Sequence, residues 1–170
     1  MIFKNLREIV RDHYTSLATE TNYTSPYSYL IIAILFVLIP TVMGFFLAKY
    51  VTVWTGFVTV SATVLSVLTG FTVNTIVLLM RYNKDGSHPY EKKKVKQTKE
   101  FTLYTLLLGV VLLASMTVGM ILSQVDNTIP SEVELVTSGI IYSLLIHYFL
   151  TLLMITHRFW GLVHGDVLDE

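Results

Sequence analysis

The sequence predicts an all-α integral membrane protein, a four-transmembrane-helix bundle with an N-terminal amphipathic interfacial helix. Two observations predict this class. Of 170 residues, 53% are hydrophobic and only 14% are charged, which is too apolar for an ordinary soluble domain. The chain also contains four apolar stretches, each long enough as a helix to cross about 30 Å of hydrocarbon.

The N-terminal segment, residues 1–24, has the spacing of an amphipathic helix. Its apolar positions recur every three or four residues, at Leu6, Ile9, His13 and Leu17. Basic residues available to lipid headgroups lie between them, at Lys4, Arg7 and Arg11. We therefore expect a cytoplasmic helix that lies on the membrane surface.

The predicted transmembrane domain, residues 28–157, holds four spans, at about 28–48, 51–80, 101–122 and 135–156. We expect Pro40 and Gly44 to bend the first span. The second stretch is too short for two spans and longer than one requires, which predicts a tilted or projecting helix after a tight hairpin. Residues 81–100, where Pro89 is taken as a helix breaker, are predicted to form a polar loop, and residues 158–170 a cytoplasmic tail.

The basic residues are distributed very unequally between the two predicted sides. Lys and Arg number three in the N-terminal segment, seven in the central loop and one in the tail, against one in the first hairpin and none in the second. The positive-inside rule therefore predicts that both termini and the central loop are cytoplasmic.

The second span carries small and hydroxyl-bearing residues at spacings of three and four: Thr52, Thr55, Thr59, Thr63, Ser66, Gly70 and Asn74. These residues, here called the hydroxyl stripe, fall within an arc of about 100° on one helix. Such a face can line a narrow aqueous path in an oligomer, with hydroxyls replacing water around an ion. It can equally pack closely against another helix, because Ser, Thr and Gly are typical of helix contacts in membranes.

The fourth span places His147 near its centre, on a face shared with Ser143 and Thr151. An ionisable residue at this depth is costly and usually faces the bundle interior, which favours a gate or a proton-sensitive switch. The alternative is a neutral imidazole that hydrogen-bonds a neighbouring helix and holds the two in register.

A lysine cluster precedes the third span: Lys92, Lys93, Lys94, Lys96 and Lys99. Its simplest roles are to set the orientation and to bind lipid headgroups at the membrane surface. An acidic cytoplasmic partner or a nucleotide signal could dock on the same charges.

The sequence lacks the residues that several kinds of chemistry require. The chain has no cysteine, and it has no Gly-rich phosphate loop, no paired carboxylates within a span and no His-based metal spacing. We therefore expect no enzymatic activity, no cofactor, no metal and no direct contact with nucleic acid.

The layout from about Thr59 to Trp160 resembles the RexB type of phage-exclusion membrane proteins. The resemblance is carried by the small-residue-rich second span (residues 60–71), the basic loop, and Ile146 with His147 inside the last span. It implies an ion-conducting effector of bacterial anti-phage defence, opened by a cytoplasmic partner and acting by depolarising the inner membrane.

Two classes of function lead. The first is a homo-oligomeric membrane pore or ion channel, because four helices enclose too little space alone while symmetric copies can surround a path. The second is a non-conducting membrane anchor or regulator that recruits a cytoplasmic partner through its N-terminal helix and lysine-rich loop. A small transporter is a third class, but the sequence has neither an internal repeat nor a carboxylate within a span.

Overall fold

The computed structural model describes residues 8–15, 17, 26–53, 55–82, 89–124 and 131–165. In these residues the chain is all-helical and forms five helices. Helix α1 covers residues 8–15, α3 is Thr55–Tyr82, α4 is Pro89–Gln124 and α5 is Ser131–Gly165. Helix α2 has three consecutive parts, the α-helical Pro26–Ala33, the π-helical Ile34–Leu38 and the α-helical Ile39–Tyr50.

Helices α2 to α5 are long and apolar enough to cross a membrane, which confirms the predicted number of such helices. The qualifying segments are Leu30–Tyr50, Thr55–Met80, Val95–Leu122 and Ser131–Trp160. Their outer surfaces are also apolar, with large side chains such as Phe46, Val67 and Leu153 more than 60% exposed. A water-soluble protein rarely exposes so much continuous apolar surface.

The connection between α2 and α3 differs from the prediction. Helix α3 begins at Thr55 and not at Val51, because the backbone of Val51 is extended and its amide donates to the Leu47 carbonyl at the end of α2. The next buried amide, that of Val53, donates to the Ser138 hydroxyl of α5 at 3.1 Å. Thr52 therefore lies in the connection, and its predicted place on the second helix is wrong.

The predicted loop over residues 81–100 is wrong for residues 89–100, which form the first turns of α4. A proline fits the first position of a helix, where its missing amide hydrogen costs nothing, so Pro89 starts a helix here instead of breaking one. The residues that follow contain no Gly or Pro, and Lys96 pairs with Glu100 one turn later at 3.9 Å. Helix α5 likewise continues past residue 156, so Arg158 is helical.

The four long helices pack in the order α2, α5, α4, α3, and in the described residues α3 does not pack against α2. The tightest approach lies between α2 and α5. A Cβ atom on Gly44 would overlap Ser143, and one on Gly139 would lie 2.7 Å from the Phe45 ring. The absence of side chains at these two positions lets the backbones come together.

Two apolar clusters hold this arrangement. One joins α3, α4 and α5 through side chains that are at most 1% exposed: Leu65, Leu112, Met116, Ile141 and Tyr148. The other lies at the end of the bundle that carries Lys96, here called the lysine end, and joins α1 and α2 to α4 and α5: Leu17, Ile32, Phe36, Phe101 and Ile155. The N-terminal helix is thus packed on the bundle.

The π-helical turn of α2 ends beside Pro40. Proline has no amide hydrogen, so Pro40 can donate neither to Phe36, four residues earlier, nor to Leu35, five residues earlier. A widened turn at this point is a recognised response to such a gap and is frequent at functional sites. The expected irregularity of the first span at Pro40 is therefore present, while Gly44 serves the contact with α5.

Candidate functional site

Apart from Thr52, the hydroxyl stripe lies on the free face of α3. Thr55, Thr59, Thr63, Ser66, Gly70 and Asn74 are all exposed. The opposite face carries the buried contacts of the helix: Val58, Leu65, Thr72, Thr75 and Leu79. The stripe therefore does not pack within its own protomer.

The hydroxyls of the stripe bond back to their own helix. Thr59 donates to the Thr55 carbonyl at 2.9 Å, Thr63 to the Thr59 carbonyl at 3.0 Å, and Ser66 to the Ala62 carbonyl at 2.8 Å. Each hydroxyl keeps lone pairs free, so the face presents a row of acceptors with no fixed charge.

The end of the stripe that carries Gly70 and Asn74 differs from the hydroxyl-bearing end in its space and in its polar groups. Around Gly70 nothing lies within 4 Å of where a Cβ atom would be. Asn74, one turn further, carries an exposed amide with two donors and one acceptor, which a helix cannot satisfy by itself. This end has both the space and the polar groups to receive another surface.

The second candidate site is a buried polar cluster at the lysine end. His147 of α5 is only 7% exposed, and its Nε2 lies 2.8 Å from the Tyr104 hydroxyl of α4. The prediction left two roles open for His147, and the observed contact is an imidazole bonded to a neighbouring helix. It links α4 to α5 in a region where polar groups have few other partners.

Helix α1 adds a second histidine to this cluster. The ring of His13 is fully buried, stacks on Tyr104 with the centroids 3.9 Å apart, and meets Phe101 edge-on at 4.4 Å. Neither ring nitrogen has a hydrogen-bond partner in the described part of the chain. Burial, with smaller contributions from nearby His147 and Arg158, lowers the pKa of His13 to about 3. The ring is therefore neutral at neutral pH.

Arg158 closes the cluster from α5. Its guanidinium lies 3.8 Å above the centre of the Phe101 ring, and the residue is 8% exposed. A cation over an aromatic face is stabilised by the ring quadrupole, more so when water is excluded. Phe101 therefore contacts one cation and one neutral histidine at once.

Ser143 and Thr151 flank His147 on the same face of α5. Ser143 is half-buried and its hydroxyl donates to the Gly139 carbonyl at 2.6 Å, with the Thr41 carbonyl of α2 at 3.4 Å. Thr151 is fully buried and donates to the Tyr148 carbonyl at 2.8 Å. Both hydroxyls bond to their own helix, and Ser143 also reaches α2, so His147 is the only one of the three that carries a titratable ring.

The lysine cluster is only partly described. The side chains of Lys92, Lys93 and Lys94 lie outside the described residues, although their backbone belongs to α4. Lys96 points outward with its side chain 79% exposed, and Lys99 is half-buried. The predicted role of these charges at a membrane surface stays a prediction.

The sequence does not predict the contacts of the buried polar cluster. The apolar spacing of the N-terminal segment includes His13, and a histidine at a core position of an amphipathic helix is a signal for a polar contact. Tyr104 and Phe101 carry no such signal, because aromatic residues are common in apolar spans. Their roles arise from contacts between residues far apart in sequence. Tyr104 and His147 are 43 residues apart, and His13 and Phe101 are 88 residues apart.

Comparison with protein-family models, with curated proteins and with solved structures finds no match. The interpretation of both candidate sites therefore depends on their own geometry.

Proposed function

We propose that this protein is a homo-oligomeric membrane pore whose conducting path is lined by α3. The observation that carries the proposal is the exposure of the hydroxyl stripe on a helix at the edge of the bundle. A single protomer in lipid would leave these polar groups against hydrocarbon. Copies related by cyclic symmetry would turn them toward one another and toward water.

The chemistry of the stripe suits an ion path. Thr59, Thr63 and Ser66 present oxygen atoms that can replace part of the hydration shell of an ion, and no fixed charge on this face would trap it. Asn74 would lie toward the cytoplasmic mouth, where its amide can pair with a neighbouring copy. Thr55 would lie at the opposite mouth.

The buried cluster has a supporting role in this proposal. His147 and Tyr104 join α5 to α4, and α4 carries the lining helix α3. A change at the lysine end would therefore reach α3 through α4, without His147 entering the path. The lysine cluster and α1 are then the surfaces on which a cytoplasmic signal would act.

The biological setting proposed for the pore rests on the resemblance to the RexB type alone. In that setting the protein lies in a bacterial inner membrane with both termini in the cytoplasm, and its opening depolarises the cell during phage infection. The charge distribution of the chain supports the same orientation.

A matched pair of substitutions tests the lining role. Ser66→Trp places a bulky ring on the stripe, and Val67→Trp places the same ring on the neighbouring position, which is 70% exposed and lies outside the stripe. In liposomes loaded with a potassium-sensitive dye, we expect Ser66→Trp to reduce ion flux at least tenfold and Val67→Trp to leave it within about twofold of the parent.

Equal effects of the two substitutions would remove the lining role from the stripe. A folded, reconstituted parent protein that passes no ions under any voltage or pH would contradict the pore itself. The non-conducting anchor would then lead, and charge reversal at Lys96 and its neighbours would be expected to abolish partner recruitment.

A further inference from the structure

The N-terminal segment packs across three of the long helices at the lysine end. Leu17, two residues beyond α1, belongs to one buried cluster with Phe36 of α2, Phe101 of α4 and Ile155 of α5. Ile9 of α1 packs against the other cluster, which joins α3, α4 and α5. This segment therefore ties α4 to α2 and α5 at one end of the bundle.

His13 lies where α4 and α5 meet. Helix α5 packs against both α2 and α4, and α3 packs mainly against α4. At the lysine end, the contacts between α4 and α5 include the hydrogen bond of Tyr104 with His147 and the stacking of Arg158 on Phe101. The His13 ring contacts both aromatic residues of α4 that make these two contacts.

His13 occupies this place without a polar partner. Its ring is fully buried, and neither nitrogen has a hydrogen-bond partner in the part of the chain that the structure describes. A buried polar atom without a partner is unfavourable. Phenylalanine could make the same aromatic contacts without that penalty, so what histidine adds at this position is the ability to take up a proton near neutral pH.

A proton on His13 would meet no compensating charge. The charged and titratable groups described around α1 are Arg11, Asp12 and Tyr14 of α1 itself, Lys96, Glu100 and Tyr104 of α4, and His147 and Arg158 of α5, while α2 brings the apolar Ile32 and Phe36. Glu100 interacts with Asp12 and Arg158. Burial, followed by the charges of His147 and Arg158, lowers the pKa of His13 to about 3.

We propose that α1 is a proton-sensitive gate of the pore: docked α1 holds α4 in the closed arrangement, and protonation of His13 releases α1, frees α4 with the lining helix α3, and opens the path. This inference rests on the proposed pore. The sequence favours such a switch at His147, but that ring is bonded to Tyr104, whereas the His13 ring has no such bond to keep. Acid on the side of the lysine end is therefore the opening signal.

The two pKa values of His13 set the size of the effect. The ring has a pKa of about 3 when α1 is docked and an ordinary value of 6.5 when α1 is released. The ratio of released to docked α1 therefore rises about 25-fold from pH 7 to pH 5. While most molecules remain docked, ion flux should rise in proportion to this ratio.

Ion flux and the position of α1 are measured on the same protein in liposomes at pH 7 and pH 5. Spin labels on Val10→Cys of α1 and Thr156→Cys of α5, both at exposed positions, report the distance between these helices. In this doubly labelled protein, we expect acid to increase flux at least about fivefold and to shift the distance distribution to longer and broader values.

Three histidine substitutions in the labelled protein separate His13 from other groups. His13→Phe keeps the aromatic contacts without a titratable ring, so flux should stay low and the distance unchanged at both pH values. His157→Phe removes an exposed histidine of α5 at the same end and should keep the full response. His13→Lys carries a charge throughout this range, and its α1 should be released and its pore open already at pH 7.

The outcomes distinguish the gate from the pore. Equal flux of the parent at pH 7 and pH 5, release of α1 without a change in flux, or an acid response that persists in His13→Phe would each overturn the gate and leave the pore intact. A parent that passes no ions at either pH, although its α1 is released in acid, would contradict the pore and the gate together.

Discussion

At the scale of single residues, the two buried histidines form a relay of contacts across three helices. His13 of α1 stacks on Tyr104 of α4, and the Tyr104 hydroxyl bonds His147 of α5. His13 also lies close enough to His147 and Arg158 for their charges to act on it. The position of α1 is therefore coupled to the protonation of one imidazole.

Acidification should release α1 from the bundle. Burial lowers the pKa of His13 from 6.5 to about 3. Above pH 6.5 the ring is neutral in both the docked and the released α1, so docking carries no penalty from this group. As the pH falls from 6.5 toward 3, the released form gains a proton that the docked form excludes, and the free energy of docking becomes less favourable. At pH 5 the loss is about 2 kcal/mol, since each pH unit corresponds to about 1.4 kcal/mol. A spin label on Val10→Cys, an exposed position of α1, should become more mobile over this range.

His13→Phe is the control for this effect. A phenyl ring can stack on Tyr104 but cannot take up a proton, so the label should keep the same mobility from pH 7 to pH 4. Acid release that is equally strong in His13→Phe would assign the effect to another group, such as Glu100 or His147.

At the scale of helices, α3 and α2 differ in how closely they pack against the rest of the bundle. Helix α3 uses one face for its contacts with α4 and α5 and leaves the hydroxyl stripe free. Helix α2 approaches α5 so closely at Gly44 that no side chain fits between them. The same residue type therefore has different consequences on the two helices, because Gly70 of α3 faces open space.

Leucine at these two glycines should separate folding from function. Gly44→Leu must force α2 and α5 apart, and we expect it to lower the free energy of unfolding by about 1–3 kcal/mol or more. Gly70→Leu should change that free energy by less than about 0.5 kcal/mol, since it meets nothing in the protomer. Unfolding in a titration with SDS measures both values.

The pore proposal adds an expectation for the second variant. Gly70→Leu should reduce ion flux in liposomes although it folds normally, because the stripe faces other copies. If both glycine variants unfold like the parent protein, the close approach of α2 and α5 does not contribute to stability.

At the scale of the whole molecule, an apolar outer surface is combined with a one-sided distribution of basic residues. Large apolar side chains are exposed along all four long helices, and eleven of the twelve Lys and Arg residues belong to segments predicted to share one side. Together these features favour a membrane location with the lysine end in the cytoplasm.

Single cysteines test this orientation, because the chain contains none of its own. Thr52→Cys lies in the exposed connection between α2 and α3, and Lys96→Cys is an exposed position at the lysine end. In intact bacterial cells, an impermeant maleimide should label Thr52→Cys at once and Lys96→Cys only after permeabilisation. Labelling of Lys96→Cys alone in intact cells would invert the orientation.

Features that depend on local pattern can be predicted from the amino-acid sequence. Apolar length predicts the four long helices, since the number of residues that can cross hydrocarbon is set by helix rise alone. The spacing of Thr59, Thr63 and Ser66 predicts one face of one helix, for the same reason. The helical conformation of residues 89–100 was not predicted, because proline breaks a helix when it lies inside one but is favourable as its first residue.

The surface that each helix face contacts is visible only in the folded bundle. That the hydroxyl stripe is free, that His13 stacks on Tyr104, and that Tyr104 bonds His147 all depend on which helices are neighbours. The order of helices in a bundle is set by the sum of many weak side-chain contacts between residues that are distant in sequence. No periodic pattern in the sequence indicates which helices become neighbours. The helices can therefore be predicted from the sequence, whereas the histidine cluster forms only where several helices meet.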